Sequence, residues 1–266
     1  MLEPNTTSNG TVEQIISTLQ TRINVYGLRE ATFRATTDPI SNSKFVEISI
    51  AGGTGDELKT LLENQGKFEA KIPVLLRLQG GEAALKLDKE YPVFVSGNSV
   101  SIDDRQLSAG DNIELAGINF LVEDVTASTV NLTSAVFSGN DIKTVFFDPQ
   151  RSRIDYDGTA YKWTFGVQLS REGAEKFSRV TSNINILPGG YLESPIVFYL
   201  DNKLIDSLSI ASTLKGRVEQ EIAISGSAPS QEEARTTMAQ LQSILRSGAL
   251  PTSVKIVSLD TISPTL

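Results

Sequence analysis

Neither cysteine nor histidine occurs among the 266 residues of the chain. Without cysteine there is no disulfide, no thiolate nucleophile and no thiolate metal site. Without histidine the commonest general base, the commonest transition-metal ligand and the usual sensor of pH near neutrality are all missing. A Ser-His-Asp triad is therefore excluded on any fold. Positive charge is also short. The 24 Lys and Arg residues against 32 Asp and Glu give a formal charge of −8, which argues against a nucleic-acid or anionic-lipid surface, since both need a basic patch. No apolar run approaches the roughly 20 residues that span a bilayer, and Met1-Leu2 is not followed by the charged and then apolar order of a signal peptide.

What is present is organised around the stretch from Ile222 to Val257. Ile222-Ala223-Ile224 is a strand pattern, broken by Gly226 and Pro229. Ser230 stands three residues before Glu233, the spacing of a capping box, and Ala234, Met238, Leu241 and Leu245 form one apolar helical stripe. Gly248 is placed for a left-handed cap, and Pro251 prevents the helix from resuming before a strand at Val254–Val257. At the other end, Ile15, Ile16, Leu19, Ile23 and Tyr26 mark a helix opened by Thr11 and Gln14 and ended by Gly27. Strands at 28–36, 44–50 and 68–72 and a short helix over Leu58, Leu61 and Leu62 follow. From Pro73 to about Ile142 the chain alternates short strands and turns, the pattern of a small antiparallel β module.

Several of these stretches carry a resemblance. Arg22-Ile23-Asn24 with Gly27, Leu28 and Glu30, then Ile48 to Gly52, then Gly139 to Ile142, resemble motifs of SecD, the protein-export membrane protein. So do Val167 to Phe177 with Gly173, the hairpin around Asp201-Asn202, Ile224-Ser225-Gly226 with Glu233, and Arg246 through Pro251. The matches run in order over about two thirds of the chain. They depart from the pattern at Asn202, where the family usually has glycine, and after the hairpin, where an Ala-Pro is replaced by Ser207-Leu208. Asparagine tolerates a left-handed turn, so the hairpin is expected to survive.

The resemblance implies an α+β fold. A discontinuous ferredoxin-like base lobe is built from both chain ends, and a head lobe containing a β-rich module and an α+β part is inserted in it. The expected boundaries are a disordered tether over 1–10, base over 11–72, head over 73–217 with the β-rich insert at about 80–137, base again over 218–262, and a tail over 263–266 toward a membrane segment. Neither end alone has strands enough to cover its helices' apolar stripes, so each needs the other. The family's function implies a non-enzymatic extracytoplasmic domain that grips emerging preprotein. It would move with a proton-driven membrane part and work beside SecF and the Sec translocon channel, with no cofactor, no metal and no nucleic acid. Arg22, Asn24, Gly27, Glu30, Gly173, Asp201, Gly226, Glu233, Gly248 and Pro251 are then structural motif positions. The competing expectation is an α+β hydrolase or ligand-binding surface protein.

Other candidate chemistry is thin. Ala51-Gly52-Gly53-Thr54-Gly55 lies between a strand and a helix, as a phosphate loop does, but no lysine follows and Asp56 and Glu57 already supply negative charge there. Asp155-Tyr156-Asp157-Gly158 begins like a calcium loop and lacks the later ligands, so a turn is expected. Asp103-Asp104 reads as a loop tip, and the sequons at Asn5, Asn9 and Asn131 carry little weight. Phe146, Phe147, Tyr156, Tyr161, Trp163 and Phe165 read as strand core, with an exposed apolar patch for unfolded polypeptide as the alternative.

Overall fold

The computed structural model describes residues 1–5, 9–28, 31–50 and 55–258. The chain begins β1 (Leu2–Pro4), α1 (Asn9–Tyr26), β2 (Ala31–Thr37), β3 (Lys44–Ile50), α2 (Gly55–Glu63) and β4 (Phe68–Arg77). A strand-rich stretch follows: β5 (Glu82–Lys86), β6 (Glu90–Ser96), β7 (Ser99–Ile102), β8 (Arg105–Ser108), β9 (Asn112–Leu115), β10 (Ile118–Val125) and β11 (Thr129–Ser138). Then come β12 (Ile142–Val145), β13 (Ser152–Tyr156), β14 (Tyr161–Leu169), α3 (Arg171–Thr181), β15 (Ile186–Leu187), β16 (Tyr191–Leu192), β17 (Ile196–Leu200) and β18 (Lys203–Leu208). The chain closes with β19 (Glu221–Ala228), α4 (Gln231–Ser247) and β20 (Val254–Ile256). It forms two units, one of Met1–Phe68, Thr144–Gly166 and Ile224–Leu266, the other of Glu69–Lys143 and Val167–Ala223.

In the first unit an antiparallel sheet has the order β2-β3-β1-β20. Val12, Ile15, Leu19 and Ile23 recur every three or four residues, so α1 presents one apolar stripe, and all four are at least 97 % buried. They pack with Leu2, Val46, Leu62, Leu250 and Val254. Burial of each such side chain contributes roughly 1.5–3 kcal/mol. The sheet closes only because residues from the two ends of the chain pair: Leu2 opposite Ile256, Glu3 opposite Lys255 and Pro4 opposite Val254.

This closure corrects four expectations. The tether expected over 1–10 gives way, in its described residues, to structure: Leu2–Pro4 is a strand between two others, Leu2 is buried in the core, and α1 already begins at Asn9. Pro4 is tolerated there because β1 meets β3 only at Leu2 opposite Val46, so its missing N–H breaks no rung on that side. The strand expected at 222–224 is β19, which pairs with β14 and leaves the place beside β20 to β1. Phe68–Arg77, expected to begin as a base strand, joins a different sheet as β4. Thr144–Gly166 lies in the first unit and not in an unbroken head over 73–217. There the β13–β14 hairpin buries Trp163 and Phe165, ring centroids 6.0 Å apart, while Phe147 and Tyr156 are exposed. The aromatic cluster thus divides between buried core and exposed positions.

The second unit contains a six-stranded sheet, β18-β17-β4-β11-β10-β9. Strict alternation decides its faces: Ala70, Ile72, Val74 and Leu76 of β4 point one way and are buried, with Phe120, Val130, Leu132 and Phe198 from the neighbouring strands. α3 covers β11, burying Ala174, Phe177 and Val180. Ser134, buried among apolar neighbours, satisfies its hydroxyl by donating to the Ile72 carbonyl at 2.8 Å. The β-rich stretch expected at about 80–137 is there. It supplies β5–β8, a separate four-stranded meander with Leu85, Val93, Val100 and Ile102 inside, and β9–β11 of the larger sheet. Three tight hairpins turn through Asp103-Asp104, Ala116-Gly117 and Asp201-Asn202, all six residues at positive φ, the twist a two-residue hairpin needs.

Candidate functional site

Two places gather polar side chains in arrangements that surface solvation does not require. The first is in the first unit, around Arg22. Arg22 falls three residues after Leu19 and one before Ile23, on the edge of α1's apolar stripe, and is fully buried. A guanidinium so placed must have its five N–H groups met. Nη1 donates to the Leu61 and Asn64 carbonyls at 2.8 and 2.6 Å, Nη2 to the Gln65 and Gly248 carbonyls at 3.4 and 3.1 Å, and Nε to Ser247 Oγ at 3.2 Å. These acceptors are the ends of α2 and α4, where unpaired carbonyls carry partial negative charge, so the cation sits against two helix C-termini at once. Ser243 of α4 donates its hydroxyl to the Arg22 carbonyl, and Gln65 exchanges two hydrogen bonds with Leu250, at 2.7 and 3.2 Å. Gly66, at φ +81°, passes so close that a Cβ there would lie 2.8 Å from Arg22 Nη2 and 2.8 Å from Ile244 Cγ2.

This clamp brings together Arg22 and Gly248 of the motif positions, with Pro251 just beyond, and adds Gly66, Gln65, Ser243 and Ser247, whose part in it the sequence reading missed. A signal existed: a lone arginine on a core-facing helical position needs buried acceptors. Gly27, at φ +102°, ends α1 by donating to the Ile23 and Asn24 carbonyls, both at 3.2 Å, while Asn24 itself is exposed. Glu233 receives the cap of α4, its N–H donating to Ser230 Oγ at 3.2 Å. Gly226 is needed for a different reason. Its Cβ would come within 2.2 Å of the Trp163 ring. Glu30 and the glycine-rich stretch 51–54 lie outside the described residues.

The second place is in the other unit. Gly173 sits where a Cβ would be 3.0 Å from that of Asp141, at the start of α3. Asp141 accepts from the Ser138 N–H and hydroxyl and from Ser170 Oγ at 2.9, 3.1 and 3.1 Å, and Ser170 Oγ in turn accepts from the Gly173 N–H at 3.0 Å. That network fixes the entry to α3. Asp201 and Asn202, at φ +50° and +63°, make the β17–β18 turn, so asparagine does take the left-handed conformation. Beside that turn, the face of the six-stranded sheet opposite its core is an open groove of about 530 Å³. Its lining includes Glu69, Lys71, Asn119, Leu121, Thr133 and Tyr199, one or two residues from each of four adjacent strands. Lys71 pairs with Glu69 at 3.2 Å and lies 5.1 Å from the centre of the Tyr199 ring. Amide, hydroxyl and charged groups predominate across it, with Leu121, Ala135 and Tyr199 among them.

Elsewhere, among the described residues, the shifted carboxylates are held in their charged form. The backbone N–H of Ala160, with Thr159 and Lys162, pulls Asp157 far below its ordinary value, Ser41 lowers Asp38, Arg151 lowers Asp148, Tyr91 lowers Asp88, and Arg77 lowers Glu193. Asp157 closes its own turn, and Asp155 pairs with Arg153 at 2.8 Å, so the Asp155–Gly158 segment is a hairpin tip. Among the described residues no three acidic side chains gather as metal ligands, and no helix is long and apolar enough to cross a membrane.

No family model matches the chain. It is similar to the protein-export membrane protein SecD of Methanothermobacter thermautotrophicus, 24 % identical over 257 residues, 96 % of this chain and 44 % of that protein. SecD of Methanopyrus kandleri is 35 % identical over 136 residues, 49 % of this chain and 31 % of that one. The protein translocase subunit SecD of Elusimicrobium minutum is 27 % identical over 266 residues, 97 % of this chain and 48 % of that one. The chain thus spans less than half the length of these three relatives. A crystal structure of SecDF in a super-membrane-facing form covers 97 % of the chain and shares its α+β fold, with a TM-score of 0.51 at 18 % identity; the chain covers 29 % of that structure. The resemblance to SecD therefore extends over nearly the whole chain, including the β-rich stretch in which no motif is recognisable.

Proposed function

We propose that this chain is the large extracytoplasmic domain of a SecD-type export factor and that it holds emerging preprotein without transforming it chemically. The observation that carries the reading is the length of the likeness: SecD proteins from two separate organisms each match 96 % or more of the chain. The first unit is the ferredoxin-like base of such a domain. Its order of strand, helix, two strands, helix and strand, with the sheet order β2-β3-β1-β20, supports that assignment. The second unit is the head. Its open groove, about 530 Å³ and lined mainly by polar side chains with Leu121 and Tyr199 among them, is the surface offered to an extended polypeptide. Main-chain amides of any sequence find partners in Asn119 and Thr133, and apolar side chains find Leu121 and Tyr199, which gives contact without sequence specificity.

In this reading membrane helices outside the chain draw on the proton gradient and move the domain, and SecF and the translocon channel are its neighbours. The test is site-specific photo-crosslinking in the full-length protein during export of a stalled substrate, with the probe at Asn119 or Thr133. Adducts with the substrate are the expected result. Adducts with SecF or the channel alone would turn the role from holding preprotein to assembly.

A further inference from the structure

The first five residues and residues 252–258 are zipped to each other along one side of the first unit's sheet. Inside the three paired positions of β1 and β20, the Asn5 N–H donates to the Ser253 carbonyl at 3.1 Å. Outside them, the Val257 N–H donates to the Met1 carbonyl at 3.0 Å and the Met1 ammonium to the Ser258 carbonyl at 2.6 Å. Because the two strands are antiparallel, Met1 and Val257 lie side by side at the same end of the ladder. A force that separates them acts along the hydrogen bonds, which run perpendicular to the strands, and loads the rungs one after another. That is the weak direction of a ladder.

The two strands are unequally held. β1 has neighbours on both sides, and Leu2 is 1 % exposed. Among the described residues β20 is an edge strand whose ladder is to β1 alone; Val254 is buried in the same core as Leu2, so the peel must also draw that one side chain out. Just before it the chain is fastened again, by the pair of bonds between Gln65 and Leu250 and by Arg22 on the Gly248 carbonyl. The peel therefore has a stop. We propose that β20 is a detachable clasp: tension between the chain ends lifts residues 252–258 off β1 while the helices and the Arg22 clamp stay in place, and the strand re-seats when tension falls. This does not rest on the export reading.

Pulling the whole chain by its two ends in an optical trap tests it. The expected trace has a reversible step of about 25 Å, the reach of the seven released residues at up to ~3.6 Å each, at a force below that which unfolds the remainder. The doubly substituted Glu3→Cys, Lys255→Cys chain, whose cysteines are its only two, is expected to lose the step when oxidised and to recover it when reduced. A trace without a step before unfolding overturns the proposal, as does a step that persists with the bridge formed.

Discussion

Both units cover one face of a sheet with helix, and they differ in how much of that sheet comes from hairpins. In the second unit β9, β10 and β11 follow one another in the chain, β17 and β18 are joined by two residues, and the meander β5–β8 is local throughout, although β4 joins β11 and β17 from a distance in the chain. In the first, the sheet waits for residues 2–4 to find residues 254–256. Its helices α2 and α4 end far apart in sequence and meet at one guanidinium. Closing so long a loop costs chain entropy that no turn can supply locally. The difference teaches where the buried polar tie belongs: a sheet built largely from hairpins is fixed largely by its turns, whereas the sheet closed by the two chain ends has, in Arg22, a directional contact at the junction.

That contrast can be broken by substitution. Arg22→Met leaves the carbonyls of two helix ends without donors and is expected to cost roughly 3–5 kcal/mol. In hydrogen exchange the loss of protection should fall on 9–26 and 231–247 and spare 129–138; equal loss in both units would end the comparison. Leu2→Ala removes a core side chain from the joining strand, for about 3 kcal/mol in denaturant unfolding, whereas a true tether would show no change. Gly226→Ala drives a methyl into the Trp163 ring and should cost about 1–3 kcal/mol. Trp163 is the only tryptophan, so its fluorescence reports the displacement directly. Ser170→Ala and Ser230→Ala each remove one helix cap, about 1 kcal/mol apiece, and sharpen the contrast if each affects only its own unit.

The smallest effect concerns acid. Asp157 has its carboxyl lowered in the folded chain, so its contribution is present above the ordinary value of 3.8 and is lost as pH falls below it. A carboxyl-carbon NMR titration should place its midpoint under 3.8, and Asp157→Asn should make the protection of the turn's amides, relative to their intrinsic exchange rate, independent of pH in that range.

Much of the local structure was legible from residue type. The stripe Ile15, Leu19, Ile23 gives α1, Ser230 opens α4, Gly248 and Pro251 end it, and Asp201-Asn202 turns the hairpin, because each acts within one turn of chain. The sheet's closure was partly legible: both ends were expected to share it. Its joining strand was not, since Leu2–Pro4 is three residues long, includes a proline and is followed by a polar run. Nor does spacing reveal that β19 pairs with β14. The clamp was visible only as a motif position, because its acceptors are main-chain carbonyls and any sequence has those.

Met1 and Val257 lie side by side, so a ring can be closed between them. A short linker joining Met1 to Ser258, with a new opening at Gly80-Gly81, where added side chains would meet open space, would give a circular permutant with the same neighbours. In that order α4, β20, β1, α1, β2, β3 and α2 become one uninterrupted stretch. The first unit's most remote pairing would then be a hairpin.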